Sequence, residues 1–501
     1  MNIKSILIAN RGEIAVRIIK TAKRMGIKTF VIKTSKEPKA MYLELADQII
    51  DFTENAEDKH EFLDIDRLIY TIKEYDIDAV HPGYGFLAES YEFAKKCEEN
   101  KINFIGPSAD AIYKMGNKTI AKKIAVEYNI PLLQGSNGNL SSHKRAMVLA
   151  RKIGYPVIIK AASGGGGRGM RIVEKQSEME KMYKLATNEA EKAFNDPAVF
   201  IEKYIREPRH VEFQILGDKH GNVIHLGERE CSIQRKHQKL IEESPSSALD
   251  KELRNKMGLA AVQIAKAVQY HSTGTVEFLL DSDKNYYFME MNTRIQVEHP
   301  VTEAITGLDL IEHQIRIANG ENLSIEQSDV ELNGWSMEFR INAEDVQSGF
   351  APNLGIIDKV VFPSGKYIRI DTGIRNGSQI TPYFDSMIAK LIVHAPSRDK
   401  VITNSLSALN RFRIKGLKTT IPFHKAVLQN KSFRKGEYNT SFIEKELKQL
   451  YFEDPEAEKL AAYLATIDYI FDIEEEDIAN VDFEKGKNLT PWLLNKRLKS
   501  F

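Results

Sequence analysis

The chain has 501 residues, of which 42% are hydrophobic, so several domains with real cores are expected. Its 70 basic and 70 acidic residues cancel, which excludes recruitment to nucleic acid or to an anionic membrane by bulk charge. Two cysteines, Cys97 and Cys231, give neither a disulfide framework nor a metal-ligand spacing. No apolar run is long enough to cross a membrane, and the apolar part of "MNIKSILIAN" is too short for a signal peptide, so a cytoplasmic protein is expected.

The first segment alternates strand and helix patterns. "SILIAN" is a short apolar run, and "RGEIAVRIIKTAKRMG" has helical spacing with Gly26 as a stop. "KTFVIKT", "DAVHPG" and "NFIGP" read as a second, third and fourth strand of a parallel, doubly wound sheet. The single glycine of "ANRGEIA" is no dinucleotide fingerprint. Two helices follow in "SADAIYKMGNKTIAKKIAVEYNIP", and a small unit runs from about 132 to 205. Beyond it, hairpin signals such as "LGDKHGNVIHL" and "FLLDSDKNYYFME" predict an antiparallel sheet with helices. The last 50 residues are acidic and helical in pattern.

Chemistry is legible first in "TVEFLLDSDKNYYFMEMNTRIQVEHP". The "DSDKN" turn places Glu277 and Glu290 on neighbouring strands, and alternation puts Glu290 and Asn292 on one face. An extended chain would continue that face with Arg294, Gln296 and Glu298. Buried carboxylates need a partner, and two Glu with an Asn oxygen suit a hard cation such as Mg²⁺. "VIIKAASGGGGRGMRIVE" sets four glycines between two apolar runs, behind Lys160. Backbone N–H groups at such a tip can approach phosphate oxygens, although a passive hairpin fits the glycines alone. No Walker pattern is present, which excludes a P-loop NTPase. Glu202 and Lys203 in "IEKYI" suit either an interdomain nucleotide or a surface ion pair. The run from Gln234 to Lys239 in "CSIQRKHQK" suits either an anion site or a solvated face.

Eight pieces in order, among them "ANRGEIAVRI", "HPGYGFLAES", "YPVIIKAASGGGGRGMRIV", "ERECSIQRKHQK", "EMNTRIQVEHPVTE" and "EFRINAED", resemble biotin carboxylase from about residue 3 to residue 445. This family is the ATP-grasp component of the biotin-dependent carboxylases. The resemblance implies a mixed α/β and α+β fold. Its parts are a Rossmann-like N-terminal domain (1–114), a helical linker (115–131), an ATP-grasp lid (132–205), a C-terminal ATP-grasp and biotin carboxylase domain (206–447) and a helical extension (448–501).

It also implies roles. Lys118, Lys160 and Gly165, Gly166 and Gly167 would bind ATP phosphates, and Glu202, Lys203 and Tyr204 the adenine. Met170, His210, Gln234, His237 and Leu279 would surround the nucleotide. Glu277 and Glu290, with Asn292, would hold Mg²⁺ or Mn²⁺. Lys239, Arg294, Gln296 and the Val297 backbone would hold bicarbonate, with Glu298 as general base. Arg340, with Tyr84 and Gly85, would face biotin. In the family's scheme, bicarbonate attacks the γ-phosphate, carboxyphosphate releases CO₂, and Arg340 steadies the biotin enolate; a closing glycine lid excludes water.

Departures from the family pattern fall at "TSKEPKAMYLELADQ", at Arg24, where some members carry an acid, and at Tyr204, where Leu is commoner. No Ala-Met-Lys-Met pattern and no transferase domain are present, so biotin is expected on a separate carrier protein working with a carboxyltransferase subunit, and a homodimer or larger complex is expected. The reading is the biotin carboxylase subunit of an acyl-CoA carboxylase such as acetyl-CoA carboxylase in fatty acid biosynthesis. The alternatives are a two-subunit pyruvate carboxylase or an ATP-grasp carboxylate–amine ligase. The acidic tail either docks a partner or packs on its own domain.

Overall fold

A computed structural model describes residues 2–447 apart from 54–59, 137 and 163–169, together with 463, 464 and 466. Met1–Leu450 form one compact unit and Tyr451–Phe501 another. The helical pattern expected over 448–501 lies almost wholly outside the described residues, as do Gly165, Gly166, Gly167 and Arg168.

The apolar run Ser5–Ile8 is the central strand of a five-stranded parallel sheet. The strand order is Gln48–Asp51, Lys28–Lys33, Ser5–Ile8, Ala79–His81, Asn103–Phe104. The sheet thus has one strand more than the sequence pattern predicts. Gln48–Asp51 sits at the edge with Ile49 half exposed, so it carries no continuous apolar run to betray it. The helix Gly12–Arg24 buries Ile14, Ala15, Ile18, Ile19 and Ala22, and Gly26, at φ +74, ends the turn beyond it. Ile14 and Ile18 share their core with Ile295 and Leu310, so this helix is packed against the far part of the chain.

Two capped helices lead out of the sheet. The Ser108 hydroxyl accepts from the Ala111 N–H, and the Asn117 side-chain Oδ1 accepts from the Thr119 and Ile120 N–H groups. The second cap fixes Lys118 as the first residue of the helix Lys118–Glu127. The small unit beyond has three antiparallel strands, Arg171–Val173, Val157–Ala161 and Val199–Lys203. Val157, Ile159, Val173 and Ile201 pack against Ala146, Ala150, Ala186 and Ala190 of its two helices, His143–Ile153 and Met179–Phe194. Val157 pairs with Val173, which confirms the hairpin that carries the glycine run.

The large sheet has eight antiparallel strands: Tyr286–Asn292, Ser272–Leu280, Arg209–Gly217, Val223–Arg235, Gln238–Ser244, Trp335–Asn342, Met387–Ala395 and Ile368–Thr372, in that spatial order. Val211, Phe213, Val276, Phe278, Phe288 and Met291 on one face pack with Met257, Ala261 and Ile264 of the helix Lys251–Ala267. The alternate residues Glu212, Gln214, Thr275 and Glu277 therefore point to the opposite face, where the chemistry lies.

A bulge keeps both faces consistent. Glu277 pairs with Glu290, yet Phe278 pairs with Phe288, so Met289 is the extra residue. Without it, Phe288 and Glu290, two apart, would share a face. Phe278→Ala removes a fully buried ring from the apolar side of this hairpin. A loss of about 3–5 kcal/mol is expected, read as a lowered urea midpoint for unfolding.

Candidate active site

The polar face of the large sheet gathers buried charge around Glu277 and Glu298. Glu277 Oε1 accepts from Asn292 Nδ2 at 2.8 Å and Gln296 Nε2 at 2.9 Å, and Lys239 Nζ lies at 3.3 Å. His210 Nε2 stands 3.0 Å from the other oxygen. Burial alone would push the Glu277 carboxyl up, but Lys239 and His210 outweigh it and hold the group well below the usual carboxylate range.

The expectation that an extended chain carries Arg294, Gln296 and Glu298 along one face is corrected. The strand ends at Asn292, and Glu298 is the N-cap of the helix His299–Thr306. The polar groups still converge, through the turn. Glu298 Oε1 accepts from Lys239 Nζ at 2.5 Å, and Oε2 accepts from Arg340 Nη2 at 2.9 Å. Burial opposes ionisation of Glu298, but Lys239, Arg340 and Arg229 hold its carboxyl well below the ordinary range. Arg294 donates to Glu89 at 2.8 Å and to Asn292 Oδ1 at 3.1 Å. The Val297 carbonyl accepts from the fully buried Lys390 at 2.8 Å.

Besides Lys390, four more residues of this network escape the sequence reading. Arg229 is fully buried and makes five hydrogen bonds, to Glu212, Gln214, Thr302, Thr275 and Gln296. Glu212 also accepts from Lys239, Glu242 from Arg340 Nε at 2.6 Å, and Glu89 from Arg294. All are pairings between residues far apart in sequence, and the one local hint is that Arg229 stands between two glutamates in "ERE".

The nucleotide candidates fall into two groups. Lys160 Nζ donates to Glu202 at 2.6 Å, and Lys122, unforeseen, pairs with the same carboxylate while lying 3.9 Å over the Phe200 ring. Burial would raise Glu202, but Lys160 and Lys122 bring it down to about 2. Lys203 instead donates to the Gly154 and Tyr155 carbonyls, at 2.9 and 3.2 Å, so neither an ion pair nor an open cationic face describes it. Burial lowers Lys118, against the pull of Glu290, and lowers His237, with Lys160 and His210 adding to the effect. Leu279 pairs with His210 across the strands, and Gln234 with Lys239. Lys236 and His237 form the hairpin tip between them with φ +48 and +65. Two side-chain-bearing residues in the left-handed region store local strain beside the site. Tyr204 follows the strand Val199–Lys203, and Met170 precedes Arg171–Val173.

Glu290 tests the cation reading. Burial and the facing Glu277 charge both raise its carboxyl, against Lys118, so Glu290 is short of positive charge although Glu277 is not. A divalent cation would supply it, and Glu277 and Glu290 fit as its oxygen ligands. Asn292 turns its nitrogen, not its oxygen, toward Glu277. His210 and Glu212 offer further ligand atoms within 4.8 Å of Glu277.

A cavity of about 540 Å³ joins Tyr84 and Gly85 to Lys239, Arg294, Val297 and Arg340. Its far wall is fixed by Asn10, whose amide donates to the Pro82 and Tyr84 carbonyls at 2.7 and 2.8 Å. Tyr84 donates to Glu13, and Gly85 takes φ +70. A second cavity of about 550 Å³ is lined by Arg17, Arg24 and Arg369, but their charges are matched by Glu303, Asp309, Glu312 and Asp371. Arg24, a departure from the family pattern, pairs with Asp309 and Glu312 of its own chain. The first cavity is where bases, acids and cations converge.

Residues 2–112 match the family described as "Biotin carboxylase, N-terminal domain", 117–326 "Carbamoyl-phosphate synthase L chain, ATP binding domain", and 338–445 "Biotin carboxylase C-terminal domain". Biotin carboxylase 1 of Bacillus subtilis is 50% identical, covering 88% of this chain and 98% of that one. The 2-oxoglutarate carboxylase small subunit of Hydrogenobacter thermophilus is 46% identical over 93% of this chain and 98% of its own. The Hydrogenobacter biotin carboxylase domain, solved as a dimer with MgADP, ADP and bicarbonate, superposes with a TM-score of 0.87 at 46% identity, over 91% of this chain and all of that one. Biotin carboxylase from Campylobacter jejuni superposes with a TM-score of 0.86 at 44% identity, over 89% of this chain and 99% of that one. A parallel N-terminal sheet, an antiparallel ATP-grasp sheet and this relatedness agree: the chain belongs to the biotin carboxylase family, the ATP-dependent ligase component of biotin-dependent carboxylases.

Proposed function

We propose that this chain carboxylates biotin on a separate carrier protein, from ATP and bicarbonate, as the biotin carboxylase subunit of an acyl-CoA carboxylase. The observation that carries the site assignment is Glu298, buried and held between Lys239 and Arg340, two residues that line one cavity with Tyr84. The division into domains at 114, 131, 205 and 447 is part of the same reading; the matched segments end near 114 and 447, and one of them runs through 131 and 205 without a break.

Lys118 and Lys160, with the loop of Gly165 to Gly167, bind the phosphates, and Glu202, Lys203 and Tyr204 the adenine end. Glu277 and Glu290 would hold Mg²⁺, which when bound would supply charge neutralisation for phosphoryl transfer. Bicarbonate, an anion, takes the place of carboxylate partners at Lys239 and Arg294. Those cations offset its repulsion from the γ-phosphate, and the geometry holds it for attack. Glu298 stays ionised at neutral pH and accepts the bicarbonate proton. As Lys239 turns to the substrate, Glu298 loses a cation that depresses its basicity, so its affinity for that proton rises. Arg340 donates to the ureido oxygen of biotin as negative charge develops there. Arg229 clamps Gln296 and Glu212 beneath these groups.

A second reading changes only the acceptor. One pyruvate carboxylase component, from Methanothermobacter thermautotrophicus, is 45% identical, close to the 46% of the 2-oxoglutarate carboxylase relative. A 2-oxo acid acceptor is therefore the alternative, decided by which transferase copurifies with the chain.

The test of the reaction is bicarbonate-dependent ATP hydrolysis with and without free biotin. Stimulation by biotin is expected, whereas turnover on an amine acceptor without it marks a carboxylate–amine ligase. Glu298→Gln is expected to lower bicarbonate-dependent turnover about 100- to 10,000-fold. Arg229→Met leaves Glu212 and Gln296 without their buried partner, and a loss of about 3–5 kcal/mol of stability is expected by urea unfolding.

A further inference from the structure

Beneath Arg340 lies a buried carboxyl that no step above uses. Glu338 is fully buried, two residues before Arg340 on the same face of its strand, and both its oxygens lack a hydrogen-bond partner. It pairs in register with Glu242, also fully buried, whose Oε1 accepts from Arg340 and whose Oε2 has no partner. The nearby cations are already engaged. Arg340 bonds Glu242 and Glu298, and Lys390, opposite Arg340 on the next strand, lies 2.9 Å from Glu13 and bonds the Val297 carbonyl.

We propose that Glu338 carries a proton at neutral pH and shares it with Glu242 Oε2, and that this proton sets how firmly Glu242 holds Arg340. Glu338 is then a positioning residue for the guanidinium that faces biotin, a role that rests on the function proposed above. A bare carboxylate with two unpartnered oxygens in a dry site costs several kcal/mol, and protonation removes that cost. The proton then needs an acceptor, and Glu242 Oε2 is an unpartnered oxygen on the residue directly opposite.

Charged groups on every packed element agree with this assignment. Burial lifts Glu338 well above the usual carboxylate range against the pull of Lys390, while Glu242, Arg340 and Glu298 also face it. Burial pushes Glu242 up to about 7, against Arg340 and Lys239 and with Glu298. Glu13 on the first helix and Asp371 on the edge strand face Lys390. Both carboxyls are raised, Glu338 well above the usual carboxylate range, so the pair keeps its proton at neutral pH; when the proton leaves at higher pH, Glu242 draws Arg340 away from Glu298 and biotin.

Infrared difference spectroscopy reads the proton directly, in the full chain and without turnover. A protonated-carboxyl band is expected at neutral pH, lost in Glu338→Gln and shifted in Glu242→Gln. No such band, a band that survives Glu338→Gln, or one unmoved by Glu242→Gln, as when the unpartnered Glu13 Oε2 is the acceptor, overturns the proposal. In turnover with free biotin, Glu338→Gln is expected to move the alkaline limb of kcat/KM for biotin to higher pH, because an amide donor cannot be titrated away. An unmoved limb counts against the positioning role. Failure of the unaltered protein to respond to biotin instead sinks the function while leaving the infrared result standing.

Discussion

Buried cations, each matched by several acceptors, are the constraint on which this site depends. Arg229 sits out of water and ties Glu212 and Gln214 on one strand, Thr275 on a second, Thr302 on a helix and Gln296 in a turn. Each of those contacts fixes a residue that touches, or stands beside, a group with chemistry to do. An unpaired guanidinium here would carry a desolvation penalty of several kcal/mol, so the hydrogen bonds and the geometry stand or fall together. Lys239 repeats the arrangement one strand over, shared by Glu212, Glu277 and Glu298.

The sheet converts ordinary strand alternation into this separation of roles. Apolar residues of the strands Arg209–Gly217 and Ser272–Leu280 pack under a helix, and their alternate neighbours collect charge on the other side. The bulge at Met289 preserves that division where regular alternation would break it. It re-aims Glu290 at Glu277 while Phe288 keeps its place against Phe278. The two glutamates thereby stay in register, Glu277 compensated by Lys239 and His210 and Glu290 raised by burial and by the Glu277 charge.

Local signals made part of this legible in the sequence. The "DSDKN" turn fixes the hairpin, with Asp281 accepting from the Asp283 and Asn285 N–H groups, and register then follows for Glu277 and Glu290. The apolar runs likewise make the parallel sheet legible, and "SADAIYKMGNKTIAKKIAVEYNIP" reads as the two helices found there, although the start at Lys118 shows only in the Asn117 cap. What stayed hidden was long-range. Glu89 lies 205 positions from Arg294, and Glu242 lies 98 from Arg340, with no pattern in either segment to announce the pairing. The turn after Asn292 was missed for a different reason: alternation of polar and apolar residues through Glu298 imitates a strand, and only packing of Ile295 into the N-terminal helix core shows that the chain has left the sheet.

The same pairings explain why the site is ordered yet open to an anion. Lys239 and Arg294 are each satisfied by carboxylates of the protein, so neither is a vacant clamp waiting for bicarbonate. In the proposed reaction bicarbonate replaces a carboxylate contact to bind, and one of the contacts open to replacement at Lys239 is with the proposed base. Substrate binding and the rise in basicity of Glu298 thus become one event. A base kept weak by its cations in the free protein gains proton affinity only when the proton it is to remove has arrived. This coupling requires Glu298 and the substrate to compete for one cation, which the position of Lys239 among three carboxylates provides.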